Sequence, residues 1–93
     1  YSDITPEQFT YRAVRTYPHD SKAWTQGLIF ANGQLLEGTG QKGFSFLRRV
    51  DLASGKVLQQ HSLKQEFFGE GIALLNGEIF QLTWQSQKGF VYD

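Results

Sequence analysis

The chain repeats itself. The stretch "QGLIFANGQLLEGTG" at 26–40 lies over "EGIALLNGEIFQLTW" at 70–84 with a constant offset of 44 residues. Gly27 falls on Gly71, Leu28 on Ile72, Asn32 on Asn76, Gly33 on Gly77, Leu35 on Ile79 and Thr39 on Thr83. Gln26 falls on Glu70. After a two-residue slip, "QKGF" at 41–44 returns at 87–90, and "RVD" at 49–51 resembles "VYD" at 91–93. A repeating unit this short cannot bury its apolar face alone, so it must stack on its neighbours. When the unit is built of strands, a period of about 40–45 residues is that of a β-propeller blade.

Strands are what the local signals give. Residues 27–30, 34–37, 44–52 and 57–63 are short apolar or alternating runs, and residues 11–17 alternate in β-rich composition. Asn32-Gly33 and Asn76-Gly77 are hairpin signals, because a type I′ turn needs positive φ at both central residues. Ser54-Gly55 is a third turn. No segment sustains a 3.6-residue period, so the expected class is all-β. The runs at 11–17 and 57–63 precede the two repeats and are expected as the outer strand of each unit. That divides the chain into an N-terminal arm, 1–9, and two four-stranded blades at about 10–52 and 56–93. Propellers have four or more blades. Two blades leave open edges, which predicts either a fragment of a larger propeller or assembly with copies of itself. A small open β-sandwich is the alternative architecture.

Composition excludes several functions. The 93 residues carry nine basic and nine acidic side chains, without the basic excess that nucleic acid or an anionic membrane requires. There is no cysteine, hence no disulfide and no thiolate metal site. No apolar run is long enough to span a membrane. The start at Tyr1 suggests processing or trimming.

The candidate chemistry centres on "FFGEG", 67–71. Glu70 is flanked by glycines, which allow a sharp turn. Its repeat position matches Gln26, and in a propeller the loop entering the first inner strand faces the central channel. Phe67 and Phe68 are expected to wall the site and lower its dielectric, a setting suited to proton transfer. The alternative is that Glu70 simply bonds neighbouring amides in a tight turn. Glu37, in "LLEGTG", reads as a polar residue at the end of an inner strand. Gly38-Thr39-Gly40 lacks the helix and lysine of a phosphate loop. Trp84 offers a flat wall to a small ligand, or core packing. His19 and His61 are isolated and suggest no metal site.

Taken together, "YPHDSKAWTQGLIF", "LLEGTG", "LRRVDLASGKVL", "FFGEGIALL" and "QLTW" resemble the glutaminyl cyclases of the plant and bacterial type, the glutamine cyclotransferases. The resemblance runs from about Tyr17 to Asp93 and covers the N-terminal portion of such an enzyme. It implies a five-bladed β-propeller. It implies conversion of the N-terminal glutamine of peptides to pyroglutamate with release of ammonia, an aminoacyl transfer that needs neither metal nor cofactor. Carried over by position, Glu70 is the catalytic acid–base residue, and Gln26, Trp84, Trp24 and Glu37 belong to the substrate pocket. Trp24 stands where the family usually has Phe, and Gly38 stands where it has Ser. The implied partners are peptides with N-terminal glutamine and the remaining blades. The implied localisation is secreted or periplasmic. The rival functions are a non-catalytic propeller that binds a peptide or sugar, and a self-assembling structural fragment.

Overall fold

Both Asn-Gly pairs turn the chain as expected. Asn32 and Gly33 have φ of 52° and 77°, and Asn76 and Gly77 have 51° and 78°, the paired positive values of a type I′ hairpin. The computed structural model of the chain describes residues 4–93. Seven strands follow from these and the other turns: β1 Thr25–Ala31, β2 Gln34–Thr39, β3 Phe46–Asp51, β4 Val57–Ser62, β5 Gly69–Leu75, β6 Glu78–Thr83 and β7 Gly89–Tyr92. They form two antiparallel meanders, a four-stranded sheet β1-β2-β3-β4 and a three-stranded sheet β5-β6-β7. The all-β expectation holds, and the repeat appears as two stacked sheets, with β1 and β2 packed against β5.

The strand order differs from the expected one. The run at 57–63 does not open the second unit, because β4 pairs with β3 and closes the first sheet. The reason is local. Asp51 accepts from the backbone N–H and hydroxyl of Ser54, Asp51 N–H donates to the Lys56 carbonyl, and Gly55 takes φ of 73°. "DLASG" is therefore a tight reversal that returns the chain along β3. The boundary between the sheets consequently falls between Ser62 and Gly69.

Residues 11–17 form no strand. Alternation supplies a strand's side chains, but the ladder needs a neighbour to take its N–H and carbonyl groups, and no edge meets this segment. Phe9, Tyr11 and Val14 are 80%, 97% and 83% exposed. The first three residues of the expected arm, 1–9, lie outside the described residues. The chain docks onto the first sheet only from Pro18 onwards. His19 meets Glu37 at 2.7 Å, and Asp20 pairs with Arg48 at 3.0 Å. Pro18 lies against Gly55, where any side chain would strike its carbonyl.

Between the sheets the contact is close and partly polar. A Cβ on Gly27 would lie 2.7 Å from the Ile72 nitrogen, so only glycine lets β1 approach β5. Ser45 is buried; its hydroxyl accepts from Gly69 N–H and donates to the Gln41 carbonyl. Glu37, Thr39 and Gln81 are also fully buried, whereas the buried apolar residues among those described are Leu47, Val50 and Leu63.

Candidate active site

The two residues singled out by the repeat are both β-bulges. In the β1–β2 ladder the register shifts between Thr25 and Gly27, leaving Gln26 unpaired. In the β5–β6 ladder it shifts between Gly69 and Ile72, leaving Glu70 and Gly71 unpaired. Each site adds one residue to the inner strand, and such an extra residue re-aims a side chain out of the alternation. The two bulges are closed by equivalent bonds, Gly40 N–H to the Trp24 carbonyl and Trp84 N–H to the Phe68 carbonyl. Position 24 thus corresponds to 68, and position 40 to 84. The Gly after each polar residue was the legible sign of this geometry.

The bulges bring Gln26 and Glu70 together across the gap between the sheets. In the orientation that satisfies both neighbours, the Gln26 carboxamide donates to Glu70 Oε2 at 3.2 Å and its oxygen accepts from Trp24 Nε1–H at 3.0 Å. Turned the other way, the amide would set its oxygen against the carboxylate and its NH2 against the indole N–H. Both Gln26 and Glu70 are half-buried. Trp84 packs on Phe68, whose ring meets it edge-on at 5.5 Å between centroids. Trp84 and Trp24 are 49% and 57% exposed. Phe67 turns to Phe90 instead, at 5.2 Å.

Glu37 bonds Thr25, the residue before Gln26, rather than Gln26 or Glu70 themselves. It is 2% exposed, and one of its oxygens accepts from Thr25 and bonds His19 Nε2. None of its hydrogen bonds among the described residues reaches Gln26 or Glu70. His19 stands isolated in the sequence; 18 positions separate it from Glu37, and no periodic cue links them. Gln81, at the repeat position of Glu37, accepts from the Tyr92 hydroxyl at 2.8 Å. Burial pushes the Tyr92 hydroxyl above its ordinary pKa. Among the described residues no group of side chains is arranged to hold a metal ion, and no helix is long and apolar enough to cross a membrane.

Two cavities lie away from Glu70. One of about 340 Å³ opens between the outer parts of the sheets, at Arg49, His61 and Tyr92. Another of about 320 Å³ lies beside Asp20, Phe44 and Arg48.

The chain matches the glutamine cyclotransferase family over residues 2–93. It belongs to that family. It is 46% identical over 81 residues to a glutaminyl-peptide cyclotransferase of Arabidopsis thaliana, a match covering 86% of this chain and 25% of the relative. It superposes with a TM-score of 0.74 on the crystal structure of Myxococcus xanthus glutaminyl cyclase, at 34% identity, over 86% of this chain and 33% of that one. The two sheets are therefore blades of the β-propeller of a glutamine cyclotransferase. The chain spans a quarter to a third of the length of these relatives.

Proposed function

We propose that this chain carries the acid–base portion of a glutaminyl-peptide cyclotransferase, acting on peptides with N-terminal glutamine. One observation carries the reading: two equivalent bulges set Glu70 beside Gln26, with the Trp24 indole N–H on the Gln26 carboxamide. In the reaction the substrate's α-amine attacks its own side-chain amide carbon. A C–N bond forms and closes a five-membered lactam. The original amide C–N bond breaks, and its nitrogen leaves as ammonia. One proton must leave the amine and one must reach the departing nitrogen, and a single carboxylate within reach of both can pass it across. Holding the glutamine folded back contributes through proximity, and the exposed indoles of Trp24 and Trp84 are suited to wall it in. Glu37 acts at a distance in this reading, holding the start of β1 through Thr25. The same family membership supports a secreted or periplasmic location, which a reporter fusion would test.

The experiment is ammonia release from a short peptide with N-terminal glutamine. It is measured for the 93-residue chain and for a full-length propeller containing it, each beside Glu70→Gln. The expected result is release by the full-length protein that falls at least about a hundredfold in the variant, the usual size of a general acid–base contribution. Equal release from both proteins would remove Glu70 from the mechanism.

A further inference from the structure

The structure assigns Trp24 a positioning role: its indole N–H fixes the Gln26 carboxamide, and that carboxamide fixes the Glu70 carboxylate. This rests on the reading of Glu70 as the acid–base group.

A carboxamide has a donor end and an acceptor end that a half-turn exchanges. Gln26 is placed between a donor-only group, Trp24 Nε1–H at 3.0 Å, and an acceptor, Glu70 Oε2 at 3.2 Å. Only one orientation satisfies both neighbours. The bonds then run in one direction, indole N–H to carboxamide oxygen and carboxamide N–H to carboxylate oxygen, and bonds in such a chain polarise one another. No other hydrogen bond reaches the Glu70 side chain among the described residues. Oε2 is thus occupied and Oε1 is the oxygen left to meet substrate. Because Gln26 sits in a bulge, its backbone has no ladder partner on β2, and the side-chain bonds supply the constraint that pairing would otherwise give. An indole at position 24 therefore does two separable things: its face walls the site and its N–H sets the amide.

Two experiments test this. In ¹⁵N-labelled 93-residue chain, Glu70→Gln should shift the Trp24 indole N–H resonance, assigned against Trp84→Phe. The shift should vanish when Gln26 is also replaced by Leu. A shift that persists without Gln26, or no shift at all, overturns the relay. In the full-length protein, Trp24→Phe keeps the aromatic face and removes the donor. It should lower kcat about three- to tenfold, the effect of one hydrogen bond, with KM nearly unchanged. An unchanged kcat, or a change in KM alone, would leave Trp24 as a wall and overturn the assignment. If Glu70→Gln proves fully active, the acid–base reading fails, while the resonance experiment still decides whether Trp24 orients Gln26.

Discussion

A methyl group at Gly69 would strike the Thr39 carbonyl oxygen and come 3.1 Å from Gln81 Nε2. Both are held in place, one in the β2 backbone and the other on a fully buried side chain. Gly69→Ala should therefore destabilise the chain by about 1–3 kcal/mol, the usual cost of overpacking. It would be read as a lower urea midpoint at unchanged m. Gly71 has open space where its Cβ would stand, so Gly71→Ala should cost clearly less. Equal losses would mean that close approach is not the reason for glycine at 69. At this level the sequence was informative where the repeat spoke. Gln26 and Glu70 were paired by offset alone, and the structure puts them in contact. Glu37 was legible as a polar strand end, but its bonds to His19 and Thr25 were not, because they depend on how the segment before β1 folds over the sheet.

Asn76 shows how far a turn can be read from two letters. Its φ of 51° is in the left-handed region, as is that of Gly77. Ala dislikes that region by about 1–2 kcal/mol. Asn76→Ala should lose roughly that much in thermal or urea unfolding, while Asn76→Gly should stay within about 0.5 kcal/mol. The Asn-Gly hairpins, and with them four of the seven strands, were accessible because each turn states its own geometry. The fourth strand was assigned to the wrong sheet, because an offset fixes which segments are equivalent but not which neighbour each one joins. The Asp51–Ser54 reversal decided that. The segment at 18–24 docks by charge and turn bonds rather than by pairing, which makes it sensitive to acid. The Lys22 backbone N–H and then the Arg48 guanidinium hold Asp20 below its ordinary pKa. A carboxylate depressed in the folded state contributes stability that is complete above its unfolded pKa and is lost as pH falls through the folded value. Docking of this segment should therefore weaken below about pH 4. Proteolysis between Pro18 and Trp24 with an acid-tolerant protease should accelerate there. Asp20→Asn should flatten that dependence by giving faster cleavage at neutral pH as well.

The accessible surface of 7513 Å² exceeds what a closed globule of 10.6 kDa presents, about 5,500 Å² by the usual scaling. The excess, on the order of 2,000 Å², is the size of a stable protein interface. Part of it is the extended segment before Pro18, and part is the second sheet, where Leu75, Leu82 and Val91 are 59%, 63% and 56% exposed. The outer edge of β7 also carries backbone groups with no strand beside them. The isolated chain should self-associate, with a sedimentation-averaged mass that rises with concentration. Val91→Lys, a charge on that edge, should lower this association without loss of β-sheet signal. A wild-type chain that stays monomeric at high concentration would count against it. Finally, the two blades carry Gln and Glu at one pair of equivalent positions, 26 and 70, and Glu and Gln at the other, 37 and 81. Each pair joins an acid to its neutral isostere. Because Gln26 and Glu70 occupy equivalent bulges, the backbone alone does not decide which of the two blades carries the acid. The exchange Gln26→Glu with Glu70→Gln would conserve net charge and side-chain volume while moving the acid one blade around the axis. The chain thus specifies which blade is acidic by a side chain and presents that side chain by a backbone shared between the blades.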